Sequence, residues 1–219
     1  MGKRLKNQLI RYRNVTWLVG VKFYSFLPLG EPKKLGVVIL DKELGGISVP
    51  KAVLFDLGDT LIVEQAGKHL GKTPFDAIPQ TEETLVALKQ KGLKVGIIAN
   101  TTISREKDVR KTLQQLGLEN YFDFIVTSVD VGCEKPDGRI FSLALNALGI
   151  KASEAVMVGD RVATDIVGGN RLGMTTILFK WNQRYPEIVT EQEEQPTFRI
   201  RHLRELLCVL DRIERSSHQ

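Results

Sequence analysis

The sequence predicts an α/β protein, a doubly wound parallel sheet of five strands with helices on both faces. Two observations carry this. From residue 51 onward, short and largely apolar runs alternate with amphipathic segments that have recognisable ends. The runs are four or five residues long, the length of strands buried on both sides, and strands alternating with helices require right-handed crossovers and a covered parallel sheet.

The strand runs are Ala52–Phe55, Val95–Ala99, Phe124–Thr127, Ala155–Val158 and Thr175–Phe179. Between the first two, Thr81 followed by Glu82 and Glu83 opens a helix that Gly92 stops. Ser104 opens the next, with Leu113 and Leu116 on its apolar side and Gly117 as its end. Residues 137–148 and 162–172 supply two more. A last helix is predicted over Ile200–Ile213, where Leu203, Leu206, Leu207 and Leu210 share a face suited to packing on the sheet.

At 219 residues the chain has room for one substantial core, with 42% hydrophobic and 26% charged residues. Residues 1–50 carry nine Lys/Arg against three Asp/Glu, a net +6, whereas residues 51–219 carry 22 against 23. The excess of positive charge therefore belongs to the first fifty residues. They lack a recognisable nucleic-acid-binding pattern, so no nucleic-acid partner is expected. Cys133 and Cys208 lie far apart with no partner motif, which points to a reducing, cytoplasmic compartment. No apolar run reaches the ~18–20 residues of a membrane span.

Residues 1–50 do not follow the strand–helix rhythm and form a basic N-terminal extension to a core at 51–215. Met1–Arg13 is basic and amphipathic; Val15–Leu29 is apolar and aromatic but broken by Lys22 and Pro28. A secretory signal is disfavoured by Lys22 and the lack of a clean cleavage site. A surface-lying membrane helix is one reading and an added packing segment the simpler one. A third is a mis-assigned start, because the core begins naturally at Val49-Pro50-Lys51 and a valine codon can initiate.

Each chemically capable residue falls just after a predicted strand. Asp56 follows the first, Asn100 and Thr101 the second, Lys135 the third, and Asp160 the fourth, with Asp165 close behind. Ligands of such sheets bind beyond the carboxyl ends of the strands. Carboxylates gathered there repel unless a cation joins them, and oxygen ligands with open coordination suit Mg²⁺. A carboxylate beside a lysine and such an ion is equipped to attack phosphorus.

The segments FDLGDTL, IIANTT, KPDGRIF and VGDRVATDI followed by GMTTI resemble, in order and spacing, the four motifs of the haloacid dehalogenase-like superfamily. The resemblance covers roughly residues 51–180 and implies a Rossmann-like hydrolase core. It implies that Asp56 is a nucleophile forming an aspartyl-phosphate, that Asp56, the Gly58 carbonyl and Asp160 hold Mg²⁺, and that Asp165 orients the metal site. Lys135 would neutralise the nucleophile and the phosphoryl oxygens, and Thr60 and Asn100 would shape the loop and bind phosphate.

Two departures from that pattern stand out. Where the family's phosphatases carry an aspartate that protonates the leaving oxygen, this chain has Gly58. General acid catalysis contributes ~10²–10⁴-fold, so activity on poor leaving groups should be weak, and on acyl or aryl phosphates little affected. Asp59 is one residue too late and is expected to cap the loop locally. Ala99 stands where the family offers a hydroxyl to phosphate, with Thr101 two residues on as a substitute. The gaps from Asp56 to Ala99 and from Ala99 to Lys135 leave no space for a folded cap domain, implying a capless type open to a large substrate or to cover from a partner subunit.

Other features are weaker. Ala66–Thr73, AGKHLGKT, loosely fits a phosphate-loop pattern but is followed by Pro74 and Pro79 instead of a helix. His69, His202 and His218 have no metal-ligand spacing, and Asn14-Val15-Thr16 is a glycosylation sequon without other signs of secretion. The first hypothesis is a Mg²⁺-dependent phosphatase-type hydrolase. The alternative is a catalytically weak phosphate-binding or protein-interaction module, and dehalogenation, which normally needs a cap, ranks last.

Overall fold

The computed structural model describes residues 10–12, 15–18, 21–22, 39–40 and 47–217. Near the N-terminus, β1 (Ile10–Tyr12), β2 (Val15–Leu18) and β3 (Val21–Lys22) form a three-stranded antiparallel sheet. The rest of Met1–Arg13 and of Val15–Leu29 lies outside the described residues.

The principal sheet contains β4 (Ile39–Leu40), β5 (Ala52–Phe55), β6 (Lys94–Ala99), β7 (Phe124–Thr127), β8 (Ala155–Gly159), β9 (Thr175–Phe179) and β10 (Phe198–Ile200). Its spatial order is β4-β10-β9-β8-β5-β6-β7. Six strands run parallel, and β4 is antiparallel on the outer edge of β10. The chain leaves β5 toward β6 and β7, then returns to β8 on the other side. The gap between β5 and β8 is thus the topological switch point, where the carboxyl ends of strands open into a crevice.

Pleating explains why both faces need cover. Val53 and Phe55 join one core cluster, with Leu85 and Leu88 of α1 (Thr81–Gln90), Val109 and Leu113 of α2 (Glu106–Gln115) and the C-terminal helix. After the short α3 (Ser128–Val131) comes α4 (Gly138–Leu148). Its Ile140, Phe141, Ala144, Leu145 and Leu148 join Ala52 and Leu54 in the opposite cluster. Side chains of successive β5 residues point to opposite sides of the sheet, so four wholly buried residues anchor helices on both. Residues 56–80, between β5 and α1, form an irregular loop, and Ala66–Thr73 lies within it with neither a strand before it nor a helix after it.

Two predicted elements are corrected. The sheet has six parallel strands instead of five, because Phe198–Ile200, read from sequence partly as the start of the last helix, is β10. Phe198 and Ile200 are buried while Arg199 between them is half-buried, a two-residue period too short to register against the leucine repeat that follows. The helix itself, α6, begins only at Glu205 and runs to Ser216. The helix predicted over 162–172 divides into a wide turn, Val162–Ile166, and α5 (Val167–Arg171). Gly168 lets α5 lie against α4, since a Cβ there would fall 2.3 Å from the Phe141 ring.

Phe198→Ala should lower the unfolding free energy by ~3–5 kcal/mol in urea denaturation, the usual cost of emptying a buried aromatic site. A change within ~0.5 kcal/mol, typical of surface positions, would contradict the placement of β10.

Candidate active site

The backbone N–H of Asp56 donates to the Val158 carbonyl at 2.9 Å, so the first residue past β5 is tied to the end of β8 at the switch point. Lys135 reaches this point from the loop after α3. Its Nζ lies 2.5 Å from Asp56 Oδ1 and 2.7 Å from Asp165 Oδ1, and the residue is 2% exposed. Asn100, just past β6, holds the Lys135 backbone from both sides. Its Oδ1 accepts the Lys135 N–H at 2.8 Å, and its Nδ2 donates to the Lys135 carbonyl at 3.0 Å.

Asp165 is carried inward by the wide turn after β8, and its Oδ2 accepts the Arg161 N–H at 3.0 Å. Gly159 makes this placement feasible. A Cβ on Gly159 would lie 2.3 Å from the Asp165 carboxyl carbon, closer than any real contact. Asp160 is 1% exposed, and neither carboxylate oxygen has a hydrogen-bond partner. Asp56, Asp160 and Asp165 each offer an oxygen within 4.8 Å of the others.

The charges of this group do not balance. Three carboxylates share the Lys135 ammonium, Arg161 and Lys180 offset the charge at Asp160 only in part, and burial removes the water that would screen them. Burial, followed by the charges of Asp56 and Asp165, pushes the Asp160 carboxyl up to about 8. Burial likewise raises Asp165 and is opposed by Lys135. For Lys135 burial acts to lower the value, but Asp165 and Asp56 outweigh it, so the ammonium stays above its usual range. Orphaned, buried oxygens beside two more carboxylates fit a small divalent cation, whose ~2.1 Å bonds span opposing oxygens ~4.2 Å apart.

Other residues singled out in the sequence fall differently. Thr60 is wholly buried and its hydroxyl has no hydrogen-bond partner. Thr101 is committed elsewhere, its hydroxyl donating to the Ser104 carbonyl of its own loop at 2.6 Å and its N–H to Ser128 Oγ at the start of α3 at 2.9 Å. Gly58 forms a bridge with Ile62 across the loop. Asp59 adopts a left-handed backbone, φ 52°, and its Oδ1 accepts the Glu64 N–H at 3.0 Å.

The segment after β9 contributes groups that the motifs did not reveal. Lys180, 4% exposed, donates to the carbonyls of Asp160 at 3.3 Å and Tyr185 at 2.7 Å. Arg184 Nε pairs with Asp59 Oδ2 at 2.8 Å, and its Nη2 donates to the Glu64 carbonyl at 2.6 Å. The Arg161 guanidinium lies over the Tyr185 ring at 4.0 Å. Lys180 was legible in principle, since it follows β9 as Asp56 and Asp160 follow their own strands. Arg184 and Tyr185 sit in a loop whose path no periodicity fixes.

Residues 59–179 match the family model described as haloacid dehalogenase-like hydrolase, a segment that includes Lys135, Asp160 and Asp165. The chain is 36% identical over 135 residues to a glyceraldehyde 3-phosphate phosphatase of Pyrococcus furiosus, covering 62% of this chain and 55% of that protein. It is 40% identical over 124 residues to a ribulose-1,5-bisphosphate 5-phosphatase of Halopiger xanaduensis, covering 56% and 50%. It thus spans about half the length of these curated relatives. The crystal structure of a HAD phosphatase from Thermococcus onnurineus superposes with a TM-score of 0.61 at 26% identity, over 73% of this chain and 97% of that one.

The shifted Asp160 carboxyl has a consequence for stability. Folding favours its protonated form, so its stabilising contribution is present below the ordinary 3.8 and is lost as pH rises toward about 8. Asparagine is neutral throughout. In chelator, Asp160→Asn should therefore melt higher than the parent at pH 8, the two converging toward about pH 4. Equal melting temperatures at pH 8 would contradict the burial of an unpaired carboxylate.

Proposed function

This chain belongs to the haloacid dehalogenase-like hydrolase family, and from that premise we propose that it is a phosphatase-type hydrolase acting through Asp56. The observation that carries the reading is the pairing of Lys135 Nζ with Asp56 at 2.5 Å and Asp165 at 2.7 Å, beside a buried Asp160 without partners. Asp56 attacks the phosphorus of a phosphate ester or anhydride and carries the phosphoryl group as an aspartyl-phosphate. Lys135 holds the carboxylate in place before attack and stabilises negative charge on the transferring oxygens. Asn100 is a positioning residue that fixes the Lys135 backbone. Asp56, Asp160 and the Gly58 carbonyl would hold Mg²⁺, with Asp165 orienting the site. When bound, the ion neutralises the carboxylates and polarises the phosphoryl oxygens.

The irregular loop at 56–80 supports a capless reading, in which residues 51–215 are the hydrolase core and residues 1–50 an extension. Phosphatase names among the relatives support the reaction class; the substrate here is assigned only as phosphorylated. A second reading, a catalytically weak phosphate-binding or protein-interaction module, draws on Ala99 and on Thr101, whose hydroxyl and N–H donors are engaged by Ser104 and Ser128.

Turnover of acetyl phosphate and p-nitrophenyl phosphate in Mg²⁺ separates the two. Asp56→Asn is expected to lower kcat on both by at least ~10³-fold. Absence of Asp56-dependent turnover on either substrate would favour the module. Since the ion must displace a proton from Asp160, Mg²⁺ affinity in calorimetric titration should rise by up to tenfold per pH unit from about 6 and level off above about 8. An affinity independent of pH over that range would contradict the assigned ligand set.

A further inference from the structure

Position 58 is glycine, yet the space beside it is filled. A Cβ on Gly58 would lie 3.5 Å from Glu64 Oε2 and 3.7 Å from Glu64 Cβ, ordinary contact distances. A Cβ at 58 would be tolerated, but the space next to it is taken by the Glu64 carboxylate. The loop returns Glu64 to this place by defined contacts. Asp59 turns the chain through its positive φ and accepts the Glu64 N–H, while Arg184 binds both Asp59 and the Glu64 carbonyl.

The Glu64 side chain is held as well. Tyr185 Oη donates to Glu64 Oε2 at 3.2 Å, Arg161 Nη2 at 3.3 Å, and Arg184 Nη1 lies 3.8 Å away. Two guanidiniums and a hydroxyl donor thus fix this side chain beside position 58. The side chain is 42% exposed, so water reaches it.

We propose that Glu64 is the general base for the second half of the reaction, an inference that rests on Asp56 being the nucleophile. Water attacks the phosphorus of the aspartyl-phosphate, and the bond between phosphorus and the Asp56 oxygen breaks, its electron pair returning to the carboxylate. The water proton passes to the Glu64 carboxylate and then to solvent, and inorganic phosphate departs. Position 58, a glycine, supplies no acid to the first half, so its leaving group departs as an anion. The substrate class is accordingly acyl phosphates and other phosphates with stable leaving anions.

The test quantifies phosphate on Asp56 after acid quench during turnover of acetyl phosphate and p-nitrophenyl phosphate in Mg²⁺. Glu64→Gln should keep the burst of about one phosphoryl group per molecule at its parental rate, with steady-state turnover reduced roughly a hundredfold. Aspartyl-phosphate should accumulate in this variant and not in the parent, and Glu64→Asp should fall between them. Parental turnover in Glu64→Gln, or burst and steady state falling together without accumulation, would overturn the assignment of Glu64 alone. Turnover that survives Asp56→Asn would remove the nucleophile, and with it the base.

Discussion

The buried ammonium of Lys135, held between the carboxylates of Asp56 and Asp165, is the constraint on which the site depends. A lysine with 1% side-chain exposure is strongly destabilising unless its charge is paired, and removing one partner of a buried pair typically costs ~3–5 kcal/mol. The pairing requires three distant segments to arrive together. The loop after α3 brings the lysine, the end of β5 brings Asp56, and the wide turn after β8 brings Asp165. Asn100 and Gly159 make this convergence feasible, one by gripping the Lys135 backbone and the other by leaving space for Asp165.

The Lys135 ammonium pairs with Asp56 and Asp165, leaving Asp160 with only the more weakly acting charges of Arg161 and Lys180. Its oxygens are buried without partners, and its carboxyl retains a proton up to about 8. A divalent cation bound there would displace that proton, which would couple metal affinity to pH and to stability. The segment after β9 then supports the loop after β5. Lys180 holds the Asp160 carbonyl, and Arg184 ties Asp59 to Glu64. Loop stiffness here comes from guanidinium contacts and a left-handed aspartate.

Much of this was legible from residues alone. Five of the six parallel strands announced themselves as short apolar runs, because a strand buried on both faces has no polar period to hide it. Placing Asp56, Asn100, Lys135 and Asp160 after those strands needed only the rule that parallel sheets gather function at one edge. β10 escaped because three residues with one half-buried arginine cannot be told from the approach to a helix. Glu64, Arg161, Arg184 and Tyr185 escaped for a different reason. Their meeting depends on two irregular loops folding toward each other, and neither loop carries a repeat that fixes its path.

The most direct measurement is a crystal structure of the protein with Mg²⁺ and a phosphate mimic such as beryllofluoride. One cation bonded to both Asp56 and Asp160 is expected, with the mimic on the free Asp56 oxygen and within hydrogen-bond reach of Lys135. A mimic seated elsewhere, with Lys135 still closed on Asp56 and no ion among the carboxylates, would contradict it.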